Sequence, residues 1–270
     1  MVEPYSSVPK RSAIISSSVG GTEIGNGSPT DPYRQVLRDV PNSSDCFYCP
    51  SDTCDCEWFG SVLNETYNEL PIRRITSVAG KRFMCAKSIE PNFVSRIVRL
   101  MNIDSSTTFY DLGSGNGSVL FQVAFSTGAR CIGIELCPHN SELSRQAWDR
   151  LRPKLEKKSG RKMPELTIIT GDLSDYISSP GFASDPTSAI WTSNLLMPKP
   201  VTAFMAERFR LLPSGVRIAC FDDLYPHSRS VMRIRDPQAF EQFLMEDYEW
   251  PPGAVEWCPF TGAFFIHRKK

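Results

Sequence analysis

The sequence predicts an α/β domain: a mostly parallel β-sheet, covered by helices, with an antiparallel hairpin at the C-terminal end. Three observations support it. Short apolar runs alternate with amphipathic stretches from Pro91 onward, a glycine-rich loop directly follows the first of these runs, and two aromatic-rich runs end the chain with no helix between them. Strands separated by helices pair in parallel, because the intervening helix carries the chain back to the end at which the previous strand began.

Residues 91–102 place Phe93, Val94, Ile97, Val98 and Met101 at three-and-four spacing, which predicts the helix that leads into the domain. Strands are then expected at 108–112, 130–135, 166–170, 189–193 and 216–221, and helices at 119–125, 140–157 and 201–212. The runs 240–248 and 255–267, separated by Pro251-Pro252-Gly253, read as the hairpin. Upstream, residues 1–30 are rich in Ser, Gly, Pro and Thr without an apolar period, so a disordered tail is expected. Residues 31–90 mix short apolar groups with Pro, Cys and charge, and read as a small loop-rich region packed on the main domain, residues 91–270.

Composition narrows the partners. Of 270 residues, 30 are basic and 30 acidic, which excludes coating of nucleic acid by the protein's overall field. The start lacks the basic-then-apolar pattern of a secretion signal and no run is long enough to span a bilayer, so a soluble intracellular chain is expected. Nine cysteines, an odd number spread through strands and loops, fit a reducing compartment better than a disulfide framework. Cys46, Cys49, Cys54 and Cys56 supply four thiols, enough for tetrahedral zinc, but one residue between the last pair is cramped for two ligands on one metal. A reduced loop is the preferred reading, and no metal is assigned.

The most informative stretch runs from Asp111 to Gly117. Gly113, Gly115 and Gly117 permit a tight turn and close approach of a ligand to the backbone, as nucleotide-binding loops require. Asp111 refines this, since an acid beside the loop repels a pyrophosphate but suits a ligand carrying an ammonium and a sulfonium. Glu135 closes the next strand, where it can accept from both ribose hydroxyls. Asp172 follows the third, where it can accept from the adenine amino group with Leu173 against the ring. Three acids at three successive strand ends favour S-adenosylmethionine as the ligand. Asn194, at the end of the fourth strand, is either polar lining where a methyl acceptor would lie or a cap before the turn at Pro198.

In this order the residues resemble the disruptor-of-telomeric-silencing family of non-SET histone H3 lysine methyltransferases. The pieces are Pro91-Asn-Phe-Val94, the loop from Asp111 to Gly117, Gln122-Val-Ala124, Gly133-Ile-Glu135, Gly171-Asp172, Asn194, Glu207-Arg-Phe209 and Trp257 followed by an aromatic pair. The compact chain is most similar to the kinetoplastid branch. The resemblance implies a class I methyltransferase-like, Rossmann-like fold and S-adenosyl-L-methionine held by Asp111, Gly113, Gly115, Gly117, Glu135, Asp172 and Leu173. It also implies Asn194 beside the transfer centre and an aromatic of the lysine channel at Phe264, where the family usually has tyrosine. Where many relatives carry Tyr-Gly-Glu over the cofactor, this chain has Ala86-Lys-Ser88.

The expected function is methylation of a lysine in the globular core of histone H3 on the nucleosome, in the nucleus. A narrow apolar channel, with Phe264, Phe221 and Trp257 as candidate walls, would favour the neutral amine by desolvation. His139, His227 and His267 are far apart and read as surface or packing residues. Basic groups at 154–162, at Arg229, Arg233 and Arg235, and at Arg268-Lys-Lys270 are the candidate contacts to DNA phosphate or an acidic histone surface. Two alternatives stay open: a methyltransferase for another protein or small molecule, and a chromatin-binding module that keeps a relic pocket.

Overall fold

The computed structural model describes residues 35–36, 54–75, 80–81, 84–225 and 236–270. The expected tail, the first two cysteines of the thiol group, His227, and Arg229, Arg233 and Arg235 lie outside them. The elements are β1 (Gln35–Val36), α1 (Cys56–Glu69), α2 (Pro91–Leu100), β2 (Thr108–Leu112), α3 (Ser118–Thr127), β3 (Arg130–Glu135), α4 (Pro138–Ser159) and β4 (Leu166–Thr170). They continue with α5 (Leu173–Ser178), β5 (Ala189–Thr192), α6 (Lys199–Phe209), β6 (Arg217–Cys220), α7 (Pro237–Gln242), β7 (Phe243–Trp250) and β8 (Gly262–Lys269).

The strands form one sheet in the order β1-β7-β8-β6-β5-β2-β3-β4. Neighbours from β6 to β4 are parallel, while β8 runs antiparallel to both β6 and β7. The chain winds outward from β2 through β3 to β4, then returns to place β5 on the other side of β2. The sheet order therefore reverses between β2 and β5, and a crevice opens there beyond the carboxyl ends of both strands.

The strand alternation of β2 divides the core. Phe109 faces the cluster containing Phe59, Phe93, Ile97, Phe121 and Leu151, while Tyr110 and Leu112 face the one containing Ile177, Met205, Phe209 and Phe243. Asp111 shares the face of Phe109. Helix ends follow local chemistry: Pro91 and Pro138 sit in the first turns of α2 and α4, where a missing N–H costs nothing, and Gly128 and Gly160 end α3 and α4 in the left-handed conformation.

Several findings differ from the expected elements: helices α5 and α7 are additional, and α7 takes the first residues of the run 240–248 read as a strand. Residues 56–69 form a helix of 14 residues inside the stretch read as loop-rich, and its buried Phe59, Leu63 and Thr66 pack on α2 and α4. The hairpin's second strand starts at Gly262, because residues 251–258 are taken up in a separate loop whose Val255 bridges Ile89. Among the described residues no helix is long and apolar enough to cross a membrane.

Candidate active site

At the carboxyl ends of β2 and β5 lies a cavity of about 290 Å³. Its floor is Asp111 and the loop Gly113–Asn116, one wall is Ser193 and Leu195–Met197 after β5, and the opposite wall is Cys85–Lys87 with Ile89. Glu135, Trp191 and Trp257, with Ser118 and Val119 at the start of α3, complete it. That volume is close to the lower end of the range of small-molecule sites, about 300–1,000 Å³.

Gly113 and Gly115 line the cavity with backbone in the left-handed region. Gly113 and Gly115 have φ of +86° and +56°, and a Cβ on either would stand 3.0 Å from the Met197 methyl or 3.2 Å from the Ala86 Cβ. Gly117 does a different job. It caps α3, and a Cβ there would fall 2.5 Å from the Phe121 ring, so this glycine closes the loop onto its helix and does not line the cavity.

The two acids of the cavity are in contrasting states. Both oxygens of Glu135 are engaged: Oε2 accepts from Gly115 N at 2.8 Å and Oε1 from Cys137 N at 2.8 Å. Each retains a lone pair for a ligand hydroxyl. Burial raises the Glu135 pKa, and these two backbone donors and Asn140 oppose the rise. Asp111, only 2% exposed, has no hydrogen-bond donor among the described residues. Its pKa lies well above the usual carboxylate value, first because burial penalises the anion and second because Glu135 repels it. Beside it, the buried Ser114 hydroxyl also lacks a partner among the described residues. A buried carboxylate and a hydroxyl without partners, over a backbone cradle that a Cβ would fill, fit a cationic ligand with hydroxyl groups.

Four predicted residues stand elsewhere. Asp172 is exposed at the end of β4, the edge strand, and its Oδ1 accepts from Ser174 N at 2.7 Å as the cap of α5. Neither it nor Leu173 lines the cavity, which reaches towards β4 only as far as Glu135 at the end of the neighbouring β3. Asn194 is buried behind the wall: its Nδ2 donates to Asp222 O at 2.7 Å, and its Oδ1 accepts from Phe221 N at 3.1 Å and Asp222 N at 2.7 Å. It staples the end of β5 to the end of β6, and so sets the backbone that carries Ser193 and Leu195. Phe264 is fully buried against Phe93 and Tyr248, with both ring centroids 5.1 Å away and the Arg96 guanidinium over its face. The aromatic walls of the cavity are instead Trp191 and Trp257, backed by Phe221 at 4.9 and 5.4 Å.

Several lining residues were missed from the sequence. Trp191 reads as an interior strand residue, and Asn116 as filler between glycines, although its carbonyl accepts from the Tyr67 hydroxyl at 2.8 Å and so ties α1 to the loop. Lys87 and Ile89 belong to a strap whose position depends on a loop 168 residues away: Glu256 Oε2 accepts from Ser88 N at 2.8 Å, and Arg74 bonds the same carboxylate. Only Ser193, directly after the end of β5, offered a signal by its strand-end position. Cys56 lies 3.1 Å from the Ser95 hydroxyl, its sulfur in the α1–α2 contact.

The basic clusters are largely engaged internally. Lys154 pairs with Glu65 and Glu69 of α1, Lys158 with Asp55, and Arg161 donates to the carbonyls of Ala124 and Phe125. At the C-terminal end Arg268 pairs with Glu246 at 3.0 Å, Lys269 lies over the Phe243 ring, and Lys270 donates to Phe240 O. These cations hold α1 to α4 and the hairpin to the body, and Lys157 and Lys162 stay exposed. His139 bonds Arg73 O on the surface, and His267 is buried beneath Tyr225, as packing residues do.

The strand order, with an antiparallel strand inserted beside β6 and the glycine loop at the reversal, defines a class I methyltransferase domain. A family model described as "Histone methylation protein DOT1" matches residues 87–268, two thirds of the sequence. The chain belongs to that family. Relatives named "Histone-lysine N-methyltransferase, H3 lysine-79 specific" include one from Yarrowia lipolytica, 24% identical over 219 residues, covering 76% of this chain and 42% of that protein. Those from Dictyostelium discoideum (22% identical, 65% of this chain, 10% of that one) and Drosophila melanogaster (25%, 64% and 9%) are longer still. The chain thus spans less than half the length of these relatives. Among solved structures, an O-methyltransferase from Bacillus cereus in complex with S-adenosylhomocysteine aligns with TM-score 0.45 at 14% identity, over 79% of this chain and 91% of that one.

Proposed function

We propose that this chain transfers a methyl group from S-adenosylmethionine to the side-chain amine of a lysine in the globular core of histone H3, presented on the nucleosome in the nucleus. The observation that carries the reading is the family match over residues 87–268, which contains every residue of the cavity except Cys85 and Ala86. Bound there, the cofactor would supply an electrophilic methyl on a sulfonium. Asp111 would hold its ammonium, Glu135 its ribose hydroxyls, and Gly113 and Gly115 would let it approach the backbone. The rest of the chemistry is positional. Holding an amine in line with the methyl can lower the barrier by about 7–11 kcal/mol, and no nucleophilic side chain is needed.

The lysine must arrive neutral, and releasing its proton at pH 7 costs about 4–5 kcal/mol from a pKa near 10.4. Trp191 and Trp257 contribute here, since an apolar wall penalises the ammonium more than the amine. With the cations of α4 and of the C-terminal end engaged internally, contact with nucleosomal DNA through them is the weaker part of the reading; Lys157 and Lys162 remain for it. The test uses isotope-labelled cofactor with nucleosomes, free histones and naked DNA, followed by mass spectrometry. Label on a core lysine of H3, greatest with nucleosomes, is the expected result. Label on free histones alone would remove the nucleosome, and cofactor binding without label would leave only a binding module.

A further inference from the structure

The cavity holds two acids, Asp111 and Glu135, and one cation, Lys87. The strap that carries Lys87 is fixed on both sides of it. Ala86 N donates to Ile75 O at 2.9 Å, while Ser88 is bonded through its N–H to Glu256 Oε2, through its carbonyl from Glu256 N at 3.1 Å, and through its hydroxyl from Arg74 at 2.7 Å. Ala86 is also where the strap comes closest to Gly115. Lys87 is thus presented, half-buried, one residue from that closest approach.

Its ammonium takes part in no ion pair or hydrogen bond among the described residues. The neighbouring anion, Glu256, already accepts from both Arg74 nitrogens, at 2.6 and 2.8 Å, and from Ser88 N. Glu256 attracts Lys87 through space without bonding to it, so the ammonium keeps its hydrogen-bonding capacity for an anion that enters the cavity it lines. We infer that Lys87 binds the carboxylate of the cofactor's amino-acid tail, so that Asp111 and Lys87 read the two ends of a zwitterion. This rests on the cofactor proposed above.

Two ligands separate the inference from that reading: S-adenosylhomocysteine, which carries the amino-acid tail, and methylthioadenosine, which has the same nucleoside without it. Titration calorimetry on the full chain should show Lys87→Met binding S-adenosylhomocysteine about tenfold more weakly, the effect of one lost charged hydrogen bond at a half-exposed site. Methylthioadenosine binding should stay unchanged, and Lys87→Arg should keep most of the affinity for S-adenosylhomocysteine. Equal losses for both ligands would make Lys87 a structural residue and overturn the inference, as would no loss for either. Wild-type protein that binds methylthioadenosine as tightly as S-adenosylhomocysteine would also overturn it while leaving the cofactor reading in place. Failure of the wild type to bind either would remove the cofactor reading itself.

Discussion

Replacing Asp111 by Asn should stabilise the ligand-free protein while weakening its hold on the cofactor. Asp111 is buried, has no donor on its carboxylate among the described residues, and sits within the repulsive field of Glu135. Its folded-state pKa is therefore raised well above its ordinary 3.8. Within the window from the ordinary value up to the raised one, the folded protein keeps a proton that the unfolded chain has released. Stability must fall as pH rises through that window and stay lower above it. The amide keeps the shape of the side chain and carries no charge, so the variant escapes that loss. An unsatisfied buried group costs about 1–3 kcal/mol, more when charged. In a domain of this size each kcal/mol moves Tm by about 2–4 °C, so the variant should melt about 2–10 °C higher at about pH 8, with the gap closing towards about pH 4. Calorimetry on the same samples should show S-adenosylmethionine bound about tenfold or more weakly, since the partner for its ammonium has lost its charge. Scanning fluorimetry across pH tests the first half. A variant that melts at or below the wild-type temperature at the alkaline end, or that binds the cofactor unchanged, would refute the reasoning.

Three further outcomes follow from the site. Gly115→Arg must place a long side chain at φ of +56° beside Ala86, between strap and loop; calorimetry should find no cofactor binding, with circular dichroism unchanged. Gly117→Ala drives a Cβ to 2.1 Å from the Ser144 hydroxyl and 2.5 Å from the Phe121 ring at φ of +85°, which should cost about 2–5 kcal/mol in urea denaturation through strain and overpacking. Asn194→Ala removes three hydrogen bonds between the ends of β5 and β6 and should cost about 1–3 kcal/mol of stability. By loosening Ser193 and Leu195 it should lower the single-turnover rate of transfer more than the affinity for cofactor; an equal fall in both would place Asn194 in binding.

Local pattern carried the reading furthest where one element sets its own signal. The helix α2 was legible because Phe93, Ile97 and Met101 repeat at its own period, and strands β2 to β6 because each apolar run is bounded by a turn or a helix cap. The helix α1 carries a comparable spacing in Phe59, Leu63, Thr66 and Leu70, but the cysteines and charges beside them give the same stretch a loop-like composition. The helix α5, at six residues, is too short for a period to show, so from the sequence its cap, Asp172, reads only as an acid at a strand end. Phe264 illustrates the opposite error: a position in a strand tells that a side chain alternates, while only packing tells that Phe93, Tyr248 and Arg96 already cover it.

By itself the sequence determined the class of the fold, the family, the glycine loop and the acids at the ends of successive strands, because these depend on the order of residues and on periods of two or a few residues. Which of those acids act together was decided only by the tertiary structure. Strand order in space is not strand order in the chain: the return of β5 to the side of β2 puts the crevice beside Asp111 and Glu135 and leaves Asp172 at the outer edge of the sheet. The strap with Lys87 is likewise invisible along the chain, because Glu256 reaches it across 168 residues of sequence, through its carboxylate and its backbone N–H.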